Sequence, residues 1–356
     1  MAKGQGAAVQ VQTVTGPVDV GDLGMTLTHE HLYADFSDYL WRPKEVWKQE
    51  LTRQSVNADM AWALREDPFF HPDNCRLDDV DASVEELELF TAAGGRTVVE
   101  VTNPGIGRDP AKLVEISNRS GLNIVMGSTW YIDATHEGAV RGRSVDDLTE
   151  DLIEEVHGGA AGTDIRPGVL GELGISEHFT DSEERCLRAA ARAQTISGLP
   201  LLIHLPGWHR LGPRVLDVIE EEGVSPSAVV LGHMNPSGRD HDYQEALLSR
   251  RAWLAFDMTG MGFYYADHGG QAPSPDEDAA AIAGLISCGF GQRVLLSHDV
   301  FVKAMWTRNG GNGFGYIPRL FLPRLIRRHG ISAEVAKSLL TENPAALFTA
   351  AAHVQE

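Results

Sequence analysis

Cysteine is scarce in this chain. Cys75, Cys186 and Cys288 are the only three in 356 residues. They are odd in number and widely scattered, which excludes a disulfide framework or a thiolate metal cluster and suits a reducing cytoplasm. Positive charge is in deficit too. Lysine and arginine number 30 against 50 aspartates and glutamates, for a net charge of −20 and a pI near 5.1. Nucleic acid and anionic membrane both need a basic surface, so neither is expected as a partner. Long apolar runs are missing: no window reaches the roughly 18 residues of a membrane span. Met1–Gln10 also lacks the apolar core of a signal peptide. Repeats, low-complexity tracts and linkers are absent as well, so residues 1–356 are expected to form a single domain. The 43% hydrophobic content is ample for one large core.

What is present is a rhythm. Short apolar, β-branched runs recur at Met25–Thr28, Arg96–Val101, Asn123–Gly127, Gly168–Leu173, Pro200–Ile203, Ala228–Leu231, Trp253–Phe256 and Arg293–Leu296. Most are continuous rather than alternating, as in strands buried on both faces. Helical spacing fills the intervals, over Val80–Ala93, Pro110–Ser120, Ser144–Val156, Ser182–Ser197, Gly212–Glu222, Asp240–Arg250, Asp276–Cys288 and Ile317–His329. Gly94-Gly95 closes the first of these. Asp181 and Ser182, ahead of Glu183-Glu184, open the fourth. Eight strands with a helix in nearly every interval read as an α/β fold, a (β/α)8 TIM barrel. The interval after the first strand is much the longest. Within it Asp38–Asp79 is rich in Trp, Phe, Pro and charge. It is expected to be an inserted helical segment between strands 1 and 2, a lobe or lid over the active-site face.

In such a barrel the chemistry lies at the C-terminal ends of the strands. Strand one ends in His29-Glu30-His31, strand four in Gly171-Glu172-Leu173-Gly174, and strand five in His204. Strand six ends in Gly232-His233 and strand eight in Ser297-His298-Asp299. Alternation puts His29 and His31 on one face, with Glu30 turned away, so the two imidazoles form a chelating pair. Strand eight closes beside strand one and brings Asp299 to the same ion. His204 and His233, on neighbouring strands, make a second pair. Glu172, across the mouth, offers one carboxylate oxygen to each ion. Taken singly, each residue has a plainer role as a structural histidine, a helix cap or an ion-pair partner. Their joint position at strand ends that one barrel brings together is what points to two divalent metal ions. Zinc suits so imidazole-rich a set, with manganese or cobalt as alternatives. Ser297-His298-Asp299 spells a triad but cannot be one, because His298 faces away from its neighbours. No nucleophile-elbow motif occurs. Gly310–Gly315 is neither a P-loop nor a dinucleotide fingerprint, and is expected to be a mobile loop bordering the substrate.

Over essentially the whole chain the sequence resembles the phosphotriesterase family of the amidohydrolase superfamily. The resemblance rests on Thr26-Leu27-Thr28-His29-Glu30-His31, Gly171-Glu172-Leu173-Gly174, His204, His233, His298-Asp299 and Tyr131-Ile132-Asp133-Ala134-Thr135-His136. It is strongest to the phosphotriesterase-related branch, in which a glutamate bridges the metals. Many other relatives use a carboxylated lysine there, and no lysine lies in or near strand four of this chain. The resemblance therefore implies a direct Glu172 bridge that needs no carbon dioxide for assembly. It also implies a homodimer, and Tyr131 as an aromatic close to the metals.

The reaction these readings imply is binuclear metal-dependent hydrolysis. A metal-bridging hydroxide attacks the carbonyl or phosphoryl centre of an ester, lactone, amide or phosphotriester, and Asp299 takes its proton. Tyr131 and Trp130 after strand three, Phe263, Tyr264 and Tyr265 after strand seven, and Trp306 in the final loop are expected to line the substrate wall. Arg239, Arg308 and His209 are candidates to meet an anionic substrate. Two other classes compete: a mononuclear amidohydrolase acting as a deaminase or decarboxylase, and a metal-free barrel that only binds a ligand.

Overall fold

The computed structural model describes residues 9–136, 138, 140–265 and 270–352. All eight apolar runs become strands of one sheet: β1 (Met25–Glu30), β2 (Gly95–Glu100), β3 (Asn123–Ser128), β4 (Val169–Gly174), β5 (Leu201–His204), β6 (Val229–Leu231), β7 (Trp253–Phe256) and β8 (Val294–Leu296). Neighbours pair in chain order, and every pair is parallel. Helices cover the outer face, so both sides of each strand are buried, as continuous apolar runs demand. Between β8 and β1 the sheet is closed by two particular bonds rather than a ladder. The Asp299 amide donates to the His29 carbonyl at 3.2 Å, and the His29 amide donates to Ser297 Oγ at 2.9 Å. The fold is a (β/α)8 TIM barrel.

The core has two layers. Inside the barrel, Val99, Val125, Val169, Leu202, Val230, Ala255 and Leu295, one from each of β2 to β8, pack together with Val11, Leu23, Leu347 and Phe348. Val11 belongs to a hairpin of Gln10–Thr13 with Gly16–Asp19, and Leu347 and Phe348 to the helix Glu342–Ala352. These elements plug the N-terminal end of the barrel and leave chemistry to the other end. A larger apolar layer lies between sheet and helices. The helix starts follow local chemistry: Ser144, Thr180 and Ser274 each form a reciprocal capping box with the third residue of the helix. The last expected helix divides into a π-turn, Ile317–Phe321, and an α-helix, Leu322–His329. Pro318 and Pro323 lie in these two pieces, and each removes a backbone donor.

The long first interval contains two short helices, Val46–Leu51 and Ala61–Glu66, with irregular chain around them. Arg76–Leu77 returns to pair with Ala34–Asp35 just above β1. Met60, Leu64, Phe69 and Phe70 anchor the segment in the outer core, while Trp47 and Trp62 stack on one another at the surface with ring centroids 5.3 Å apart. Among the described residues no helix is long and apolar enough to cross a membrane.

Candidate metal centre

Simple alternation does not aim every side chain at the barrel mouth; local irregularities finish the work. Leu202 and His204 share the inner face of β5, and Leu295, Ser297 and Asp299 continue the inner face of β8. Leu27, however, belongs to the outer layer, and the β1–β2 register shifts between Leu27 and Glu30, which turns His29 and His31 inward. A second shift between Leu170 and Leu173 accompanies the inward turn of Glu172 on β4. Gly171 precedes it because a Cβ there would lie 2.5 Å from Leu202 Cβ. His233 and Asp299 adopt left-handed backbone, with φ of 54° and 53°. Such strain in residues with side chains gathers at functional sites.

The six residues converge. His31 Nε2 lies 3.2 Å from Glu172 Oε1 and 3.3 Å from Asp299 Oδ1, and His29 Nε2 lies 3.4 Å from Glu172 Oε2. On the far side, His204 Nδ1 is 3.1 Å from Glu172 Oε2 and 2.8 Å from His233 Nε2. One carboxylate therefore lies between two imidazole pairs. Three ligand sets each bring their donor atoms within 4.8 Å of one another: His29, His31 and Glu172; Glu172, His204 and His233; and His29, His233 and Asp299. His29 Nε2 is buried with no hydrogen-bond partner, a costly orphan unless something at the centre accepts its lone pair. Nitrogen and carboxylate donors in this number suit divalent cations such as zinc.

Electrostatics agree. Burial alone would lower the His29 and His31 pKa values. The carboxylates of Asp257 and Glu172 around His29, and of Asp299 and Glu172 around His31, outweigh it, and His31 rises to about 9. Burial would raise Glu172, yet its imidazole neighbours, His204 first, hold it well below the usual range. His204 moves down, through burial and then the neighbouring His233. The cluster is thus built around cationic charge, whether that charge is carried by protons or by metal.

Several supporting residues were not foreseen from the sequence. Asp257, directly after β7, accepts from the His233 amide at 2.8 Å and from His233 Nδ1 at 2.9 Å, while its other oxygen lies 3.2 Å from His29 Nδ1. His31 Nδ1 donates to Thr102 Oγ1 at 2.9 Å, and the Thr102 hydroxyl donates to Glu100. Glu30, turned outward as alternation requires, accepts from Ser297 Oγ, from the His298 amide and Nδ1, and from the Val300 amide. It pins the end of β8, and hence Asp299, to β1. His298 is thereby occupied away from the mouth, and no triad forms. An acidic residue at or just beyond each apolar run was the available signal for Asp257 and Glu100.

Above the cluster opens a cavity of about 530 Å³ that includes His31, Glu172, His204, His233 and Asp299. Tyr131 lines it, with its hydroxyl 3.3 Å from His204 Nδ1 and its carbonyl 2.8 Å from His136 Nε2. Tyr265 lines it as well, whereas Trp130, Phe263 and Tyr264 are not among its lining residues. Trp306, expected in the same wall, is instead buried in the outer core. The glycine-rich loop borders a different, smaller cavity of about 160 Å³ beside His298 and Met305. His209 reaches the mouth, but Arg239 pairs with Glu277 and Arg308 with Glu85, both away from the cavity. Tyr39 and Phe69 come to the wall from the long first interval.

Comparison with known proteins gives a consistent result. A profile of the Phosphotriesterase family matches residues 9–348. The chain is 34% identical to N-acetyltaurine hydrolase of Rattus norvegicus over 94% of this chain and 96% of that one. A crystal structure of a resiniferatoxin-binding protein from Rhodobacter sphaeroides superposes with a TM-score of 0.93 at 47% identity, covering 96% of this chain and 95% of that one. The phosphotriesterase homology protein of Escherichia coli, solved with phosphate in its active site, superposes with a TM-score of 0.76 at 28% identity, over 92% and 99% of the two chains.

Proposed function

The chain belongs to the phosphotriesterase family and is a metal-dependent hydrolase; on that premise we propose that its centre is binuclear, with Glu172 bridging the two ions. His29 Nε2, His31 Nε2 and Glu172 Oε1 would hold one ion with Asp299, and His204 Nδ1, His233 Nε2 and Glu172 Oε2 the other. The observation that carries this reading is the Glu172 carboxylate lying 3.1 to 3.4 Å from nitrogens of both imidazole pairs. Zinc fits the donor set, with manganese and cobalt as substitutes. Such ions supply Lewis acidity: they lower the pKa of water and polarise a carbonyl or phosphoryl oxygen.

The protein's own groups do the rest. Asp299 stands at the cavity side of the His29–His31 pair, fixed by the hydrogen bond that its amide donates to the His29 carbonyl and by the Glu30 clamp on the preceding residues. It takes the proton of the attacking water and passes it to the leaving group or to solvent. Tyr131, held through its carbonyl by His136, orients the substrate over His204. The segment 38–79 acts as a lid within a single-domain enzyme, since Tyr39 and Phe69 already reach the wall. The substrate is a small molecule with an ester, lactone, amide or phosphotriester bond; the likeness to N-acetyltaurine hydrolase supports keeping amides in that range. We also read the protein as a cytoplasmic homodimer. Its free cysteines, two of them buried, support the compartment, and the family resemblance supports the dimer.

Metal analysis of the purified protein tests the centre: near two ions per chain supports it. Near one would favour a mononuclear amidohydrolase, and none a binding barrel. Asp299→Asn is expected to retain metal and lose turnover by about 100-fold or more; near-normal rates in that variant would remove Asp299 from the proton path.

A further inference from the structure

Resting on the hydrolase reading above, we propose that the cavity selects uncharged substrates with an aromatic or bulky apolar body beside the scissile bond, and rejects anionic ones. Its wall is a continuous series of ring contacts. Phe36 meets Phe301 with centroids 5.5 Å apart, Phe301 meets Phe69 at 5.8 Å, Phe69 stacks on Tyr39 at 5.3 Å, and Trp208 meets Tyr265 at 5.7 Å nearer the mouth. The tyrosine hydroxyls already have partners: those of Tyr39 and Tyr131 hydrogen-bond each other, and that of Tyr265 donates to Met261 Sδ. What these rings offer a ligand is therefore apolar area and π faces, which favour another aromatic group and carry partial negative charge.

Among the described residues, no lysine or arginine lines the cavity. Of the three residues that the sequence offered for an anion, Arg239 and Arg308 are spent on surface glutamates, and His209, at the mouth, lies 3.2 Å from Glu177. Beyond the metal cluster the acidic lining groups are Asp133 and Glu177, and the two further histidines there are His178 and His209. Glu177 is already engaged by His209 at 3.2 Å and by His178 at 3.5 Å, so it offers no open site for a cation either. A sulfonate or carboxylate on the substrate's tail would lose its water inside an aromatic wall, find no lysine or arginine, and meet Asp133 and a Glu177 that already holds both histidines of the rim. A neutral aromatic tail would lose nothing of the kind.

Probe pairs that share one bond type test this. Para-nitrophenyl benzoate is compared with para-nitrophenyl hemisuccinate, and N-acetylphenethylamine with N-acetyltaurine. For whichever bond is cleaved, the neutral member is expected to have a kcat/KM about 100-fold above its anionic partner. Glu177→Arg should narrow that ratio by about tenfold, mostly through KM. Binding of the same probes to the Glu172→Ala protein, followed by titration calorimetry, separates selection from turnover. Equal kcat/KM within a pair, or a ratio untouched by Glu177→Arg, would overturn the selectivity while leaving the hydrolase intact. Selective binding of neutral probes with no cleavage of any would instead overturn the hydrolase and keep the selectivity.

Discussion

The two imidazole pairs are chemically alike and mechanically different. His29 and His31 sit on one strand, with side chains 3% and 1% exposed, and both Nδ1 atoms face a support: Asp257 for His29, and Thr102 backed by Glu100 for His31. His204 and His233 come from separate strands. His204 is 20% exposed, and its ring neighbours are Glu172, His233 and Tyr131, all on the cavity side. A ring fixed at its far nitrogen keeps its tautomer and direction, whereas a ring without that support can shift with what enters the cavity. The first pair is thus the rigid floor of the site; in the second, Asp257 holds His233 at Nδ1 in the same way, and His204 alone is the adaptable, cavity-facing edge. Asp257 reaches one histidine of each pair from behind, His29 and His233.

The comparison can be broken at four depths. Glu172→Ala removes the carboxylate that lies between the pairs; metal content should fall below one ion per chain and kcat/KM by more than about 1,000-fold. Asp257→Asn loosens one histidine of each pair together, so calorimetric titration should show metal affinity weakened by about 10- to 100-fold at both steps. Weakening confined to one step would refute its double role. Thr102→Val unties His31 alone, and a loss of about tenfold limited to one step is expected.

The smallest effect lies beneath the adaptable edge, in the helix Pro275–Ser287, and concerns stability. Asp278 is buried there, and burial pushes its pKa up to about 8, against the pull of the Asn235 amide. Because the fold favours the neutral acid, the destabilisation from this one group is absent below about pH 4, grows as pH rises, and levels off above about 8. Asp278→Asn should raise the Tm by about 2–8 °C at pH 8 and leave it unchanged near pH 4. An equal shift at both pH values would mean that repacking, not ionisation, is responsible.

Much of the fold was legible because parallel barrel strands are buried on both sides, and continuous apolar runs are visible in a sequence without its partners. Hence β7 begins and ends where the run Trp253–Phe256 does. The N-terminal hairpin and the final helix were not recognised, since their strands are four residues long and their contribution is made only against the barrel floor. In the site, the six candidate ligands stood out because histidine and carboxylate at the end of an apolar strand is a costly choice. Trp306 misled for the opposite reason: a tryptophan in a loop reads as a wall residue, and only packing reveals that it is core.

The sequence by itself determined the barrel, the placement of His29, His31, Glu172, His204, His233 and Asp299 at its strand ends, and the deficit of positive charge. Those properties depend on local periodicity and composition. Tertiary structure decided which way the ends face, through register shifts on β1 and β4 and left-handed backbone at His233 and Asp299. It also decided which distant groups hold them, Asp257 and the Thr102–Glu100 relay among them, and where the cations go. A side chain's direction and its counter-ion depend on neighbours far away in the chain, and close packing is what brings those neighbours together.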